Sequence, residues 1–229
     1  MLGRTEVSRQ DTTHVKAAHL RQLSLVGQPI GSRGWVHRNL ALRIADSRAD
    51  RAEVADIIRT RHYLKRWPAP PKTLLLSYIA SLGGDGAAAA VMIGLLPTNY
   101  GPVLQALNLH QAEVLQLVRC WRADDLGARV APDLMPLVLR RTVRRLAADW
   151  ADRKCANLVA RPRLLVTYAD PSVGHDGRLY EGAGAVALGR GSGGKLMFAW
   201  ALDDTLRDPL RQYGQARAER PGCARLHSY

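Results

Sequence analysis

The chain has 229 residues, with 33 Lys plus Arg against 20 Asp plus Glu for a formal charge of +13, and 47% hydrophobic residues. That much apolar material excludes a disordered chain and supplies one core, so a single domain with ragged ends is expected rather than two domains. The excess of cations favours a polyanionic partner, because basic side chains facing phosphates gain by releasing condensed counterions, while Cys120, Cys155 and Cys223, far apart and without a CxxC pair, exclude a disulfide framework and a thiolate zinc site.

The opening Met1-Leu2-Gly3-Arg4 leads into no apolar core of signal length, and no apolar run approaches bilayer thickness. A cytoplasmic protein with reduced thiols and no membrane partner is therefore expected. Residues 1–38 are polar, basic and rich in turn formers and read as an N-terminal extension. The first strand is expected over Leu40 to Ala45. Ser47 then precedes Val54, Ile57, Ile58 and Tyr63 at helical spacing, and the helix must stop by Trp67, because Pro68, Pro70 and Pro71 cannot continue it. Thr73 to Leu82 and Ala87 to Leu96, separated by Gly83, Gly84, Asp85 and Gly86, predict a hairpin closed by Pro97, Asn99, Gly101 and Pro102.

Glu113 to Trp121 predicts a further strand, followed by a loop at Asp124, Asp125 and Gly127. From Asp133 to Trp150, the residues Met135, Leu139, Val143, Leu146 and Trp150 draw an apolar stripe along one long helix, leaving Arg140, Arg141, Arg144 and Arg145 as a basic face. Arg163 to Tyr168 predicts a buried strand ending at Asp170. A helix over Gly177 to Ala185, a strand over Val186 to Gly189, a loop over Arg190 to Gly194 and a last strand over Lys195 to Ala201 complete a domain spanning 39–203. Residues 204–229 read as a charged, partly mobile tail. The order of elements is that of a mixed sheet flanked by helices.

Two clusters can carry chemistry. Arg61-His62-Tyr63-Leu64-Lys65-Arg66-Trp67 interleaves cations with aromatics, which can hold phosphates and stack an exposed base, or can equally cap a helix and cover the core. Thr167-Tyr168-Ala169-Asp170-Pro171, followed by Gly174-His175-Asp176-Gly177 and Tyr180, sits where open α/β sheets place ligand chemistry. There Asp170 can orient or deprotonate an amine, His175 can carry a proton, and Tyr180 can donate a hydrogen bond or stack a base; alternatively Asp170 caps the next segment and Tyr180 is core.

His62-Tyr63 after a basic helix, the strand ending Leu115-Gln116-Leu117-Val118-Arg119, and above all Tyr168-Ala169-Asp170 with Gly174-His175, Gly177 and Tyr180 resemble the Mom family of phage DNA-modification proteins. The resemblance covers roughly residues 45–200. It implies a GNAT-like mixed sheet and an enzyme that puts an acetamido (carbamoylmethyl) group on the exocyclic amino group of adenine in DNA, protecting phage DNA from restriction. It also implies functional roles for His62, Tyr63, Arg119, Asp170 and Tyr180. Tyr168, His175, Lys65, Arg66 and Trp67 join them as candidate contacts to double-stranded DNA.

Acetyl-CoA, or another acyl or glycyl donor, is implied by the resemblance alone. No clean glycine-rich turn precedes Asp133, and Gly189 to Gly194 leads into a strand. Iron is implied in the same way, with His62, His175 and Asp170 as a chemically suitable set. Thr167, Ala131-Pro132-Asp133 and Glu181 to Ala185 depart from the family pattern. Oligomeric state stays open, a homodimer included. Two other functions are weighed: a CoA-dependent N-acetyltransferase acting on a small amine or protein, and a non-enzymatic DNA-binding protein. Only the DNA-modifying enzyme uses both the charge and the Tyr-Asp-His-Tyr cluster.

Overall fold

The computed structural model describes residues 33–65, 76–84, 86–96, 100–126, 130–152 and 161–219. Most of the basic N-terminal extension, Arg66, Trp67, Cys155, Cys223 and the last ten residues lie outside these. Among the described residues no helix is long and apolar enough to cross a membrane.

A short helix, α1 (Arg33–Asn39), leads into the edge strand β1 (Leu40–Ile44). Helix α2 (Arg48–Thr60) begins as its sequence dictates: Ser47 accepts from the Asp50 N–H at 2.9 Å, and the Asp50 side chain reaches back to the Ser47 N–H. Its Val54, Ile57 and Ile58 are buried, Val54 and Ile58 against Ile79 and Met92. β2 (Leu76–Leu82) and β3 (Ala87–Leu95) form the expected hairpin and are buried on both faces, which is why their apolar runs barely alternate. The expected turn after β3 carries an additional helix, α3 (Gly101–Ala106), whose Pro102 stands in the first turn, where no N–H is needed.

β4 (Val114–Arg122) is followed by the long helix α4 (Ala131–Ala151), then β5 (Leu164–Ala169), a short helix α5 (Arg178–Gly182), β6 (Val186–Arg190), β7 (Leu196–Ala201) and α6 (Arg207–Ala218). The seven strands form one mixed sheet in the order β1-β2-β3-β4-β5-β7-β6. Only β4 and β5 are parallel, as a helical crossover such as α4 requires. One face of the sheet packs against α1, α4 and α5, centred on Leu134, Leu139, Leu146 and Trp150, and the other packs against α2, α3 and α6.

Two expectations are corrected. Only Arg144 of the four α4 arginines is exposed. Arg141 donates to the carbonyls of Leu40 and His37, while Arg145 donates to the Leu42 carbonyl at 3.0 Å and pairs with Asp149 at 2.6 Å. The hydroxyl of the fully buried Tyr78 donates to the same Asp149 at 2.8 Å. These arginines fasten α4 to the free edge of the sheet instead of offering a face to DNA.

The segment after Asp203, expected to be a mobile tail, holds α6, which packs on β6 through the buried Leu210 and Gly214. Its charges mask the apolar spacing Leu206, Leu210, Tyr213. Gly214 is the point of closest approach: a Cβ there would stand 2.5 Å from Val186 Cγ1 and 2.8 Å from the Ala187 oxygen. Gly214→Ala is therefore expected to destabilise the fold by about 1–3 kcal/mol, read as a lowered Tm in thermal denaturation. An unchanged Tm would show that α6 does not seat on β6 as described.

Candidate functional site

The site exists because β4 and β5 stop pairing. Their parallel register runs only from Val114 opposite Leu164 to Gln116 opposite Val166. At the next step a bulge at Val118 shifts β4 against β3, and Thr167 Oγ1 donates to the Leu117 carbonyl at 3.3 Å as the last tie between the strands. Beyond it the strands part around a pocket of about 910 Å³. Pro132, Met135 and Pro136, at the start of α4, line one side.

The turn after α2 supplies His62 and Tyr63. The N–H groups of Arg61 and His62 both bond to the Ile57 carbonyl, which winds the chain tightly and turns His62 inward to 4% exposure. Its Nδ1 accepts the backbone N–H of Leu64 at 3.2 Å. Burial, followed by the charges of Arg119 and His175, pulls the imidazole down to about 4. Tyr63 stays 52% exposed, with its ring 4.5 Å from His62 and edge-on at 4.8 Å to His175. Arg119, half-buried on β4, donates to the carbonyl of the bulged Val118 at 2.7 Å.

The end of β5 supplies the acidic side. Asp170 Oδ1 accepts the Ser172 N–H at 3.1 Å and the Ser172 hydroxyl at 2.5 Å, and Oδ2 lies 3.6 Å from Lys195 Nζ. The Ser172 hydroxyl, ahead of Lys195, holds the carboxyl below its ordinary range. Asp170 thus caps the turn at Pro171–Val173, and it is a fixed negative charge and a weak base.

Gly174 and Gly177 both adopt left-handed backbone, at φ 80° and 85°, and a Cβ on Gly177 would lie 2.0 Å from Phe198 Cζ. Only glycine lets this turn press on β7 and deliver Tyr180. The Tyr180 ring packs 5.5 Å from Phe198 and 5.9 Å from Trp200, and its hydroxyl donates to the Tyr168 carbonyl at 3.4 Å. Burial holds that hydroxyl well above its usual range, so it stays protonated. Tyr168 is half-buried against Tyr100, with ring centroids 5.8 Å apart.

The structure therefore lines one pocket with His62, Tyr63, Arg119, Tyr168, Asp170, His175 and Tyr180. Lys65 is exposed and does not line it. Sequence reasoning does not single out Cys120, Arg122, Arg178 and Lys195, which also line the pocket. Cys120 neighbours Tyr180, and burial pushes its thiol up to about 11. The signal for Lys195 is its place beside Leu196, which pairs with Ala169 at the end of β5.

The residues present do not fit iron. Among the described residues no three His, Cys, Asp or Glu side chains are grouped to hold a metal. Moreover, Nδ1 of His62 already accepts from Leu64, so the neutral ring carries its proton on Nε2, and Asp170 is taken by Ser172 and Lys195.

Ser172→Ala is expected to raise the Asp170 titration towards the ordinary 3.8, followed by carboxyl ¹³C NMR. A depressed folded-state value favours folding above the unfolded value and loses that contribution as pH falls through the folded one, so the variant should lose part of this acid-side dependence. An unmoved titration would assign the depression to the Ser172 N–H and Lys195 instead of the hydroxyl.

No protein-family model matches the chain, and no curated protein matches it. Among solved structures it is similar to the aminoglycoside acetyltransferase AAC(6')-Ib in complex with coenzyme A, at 16% identity over 76% of this chain and 98% of that one, with a TM-score of 0.47. It is also similar to a spermidine N-acetyltransferase from Vibrio cholerae, at 11% identity over 75% of this chain and 98% of that one, with a TM-score of 0.45.

Proposed function

We propose that the chain is an N-acyltransferase-like enzyme of the GNAT kind whose acceptor is an exocyclic amino group of adenine in double-stranded DNA. In this reading it belongs with the Mom-type modifiers and acylates that nitrogen, turning the amino group into an acetamido group that protects DNA against restriction. The observation that carries the reading is the meeting of His62, Tyr63, Arg119, Asp170 and Tyr180, from three separate stretches of chain, in one pocket.

Charge selects the acceptor. The pocket is lined by the cations Arg61, Arg119, Arg122, Arg178 and Lys195 against the carboxylates Asp124, Asp170 and Asp176. A polyamine or an aminoglycoside would bring further positive charge to it, whereas a nucleotide brings phosphates. An enzyme acting on a base inside a duplex must extrude it and stack it, and the half-exposed Tyr63 ring stands at the pocket as a stacking surface. Asp170, a weak base, serves as a fixed negative charge that orients the hydrogens of the amine. His175, exposed against Tyr63, can pass a proton to water. Tyr180, protonated, supplies a hydroxyl donor.

The residues fit an acyl-CoA donor. The N-terminal end of α4, whose peptide dipoles favour anions and whose first turns line the pocket, is the element that would hold its phosphates. When bound it would supply an activated carbonyl carbon, to which the amine nitrogen bonds as the carbon–sulfur bond breaks and the CoA thiol leaves. The same groups serve the coarser alternative, a CoA-dependent N-acetyltransferase of a small amine or protein.

Nucleoside mass spectrometry of DNA from cells expressing the protein tests the proposal: adenosine of increased mass is expected, and unmodified DNA together with acetylation of a small amine would overturn it. Tyr63→Ala should weaken single-base binding by about 1–3 kcal/mol, as loss of one stacking partner requires, measured by fluorescence anisotropy with an unpaired adenine in the duplex. Arg61→Ala should flatten the salt dependence of DNA binding by a slope of about one. A salt-independent affinity of the wild type would point to a small-molecule substrate.

A further inference from the structure

The pocket holds groups that can hydrogen-bond a substrate, and one of them has its proton placed by the backbone. His62 is 4% exposed, and its Nδ1 accepts the Leu64 N–H at 3.2 Å, a bond closed within its own turn between residues two apart. An accepting Nδ1 carries no proton, so the neutral ring must carry it on Nε2. With Nδ1 turned onto its own backbone, the Nε2 edge is the one left to face the pocket that the ring lines. Protonation of Nδ1 would break the Leu64 bond and place a cation in a buried position beside Arg119 and His175.

We infer that His62 acts as a fixed hydrogen-bond donor through Nε2–H to the carbonyl oxygen of the transferred group, and not as the base that receives the proton of the amine. The surrounding charge chooses between these tasks. Arg119, close enough for its charge to act on the ring, favours an oxygen on which negative charge develops and opposes the formation of an imidazolium. The donor is also preorganised, because the turn that closes α2 fixes the ring before any substrate arrives. The carbonyl partner rests on the transferase reading given above; the tautomer does not.

Two measurements test the inference separately from that reading. In the full-length protein labelled with ¹⁵N-histidine, long-range ¹H–¹⁵N correlation should show His62 with Nδ1 unprotonated and Nε2 protonated, unchanged from pH 8 down to pH 6. A ring protonated on Nδ1, or one that charges within that range, would overturn the inference whether or not the protein transfers anything.

The second measurement is the rate of DNA modification by variants whose folding is checked by thermal denaturation. His62→Gln, whose amide nitrogen stands near the position of Nε2 but has no basicity, should keep activity within about tenfold, whereas His62→Ala should lose about 10²-fold or more in kcat. Equal loss in both variants would overturn the donor role. If the wild type modifies no DNA, the functional reading fails, and the spectrum still decides the tautomer.

Discussion

The parting of β4 from β5 is the constraint on which the rest of the molecule depends. Parallel neighbours in a sheet normally exchange hydrogen bonds along their length, and here they do so for three residue pairs before the Val118 bulge turns β4 away. A gap in the middle of a sheet would expose backbone groups and apolar side chains. It persists because each strand keeps its other partner: β4 stays paired with β3 to Arg122, and β5 stays paired with β7 to Ala169. The opening therefore costs only the rungs between β4 and β5 and leaves both walls rigid.

Rigid walls need a rigid frame, and α4 provides it. Its apolar stripe buries Met135, Leu139, Leu146 and Trp150 against the sheet, while Arg141 and Arg145 bond to carbonyls of residues 37–42. The Arg145, Asp149 and Tyr78 chain ties the helix to β2 at a fully buried hydroxyl. With its C-terminal half fastened in this way, the helix presents its first turns to the pocket in a fixed position. Arginine suits this task because its planar fork can serve two acceptors at once.

Within the pocket, burial sorts the titratable groups. His62 and Tyr180 are desolvated and stay neutral, whereas Asp170 keeps its charge because Ser172 and Lys195 satisfy it. Neutral donors set among fixed charges need little reorganisation when a charge develops beside them, which is what electrostatic stabilisation of a reaction requires. The two left-handed glycines of the Gly174 to Gly177 turn are part of the same device, since they let Tyr180 enter against Phe198.

Much of this is legible in the chain itself. Ser47 with Asp50 announces the start of α2, the stripe from Met135 to Trp150 announces α4, and the Tyr168 to Tyr180 run marks the candidate site, because capping, periodicity and turn chemistry act between near neighbours. α3 and α6 are not announced: a proline-rich turn conceals one, and the charges on Arg207, Asp208, Arg211 and Arg217 conceal the other, whose helix is settled by Leu210 and Gly214 meeting β6. Composition determined a basic, core-bearing chain, and the order of its elements an α/β domain. Only the tertiary structure decided that the charge of Arg119 acts on His62, that Lys195 answers Asp170 and that Arg141 and Arg145 belong to the frame and not to a free basic face, because each of these depends on a partner brought close by the sheet and not by the sequence.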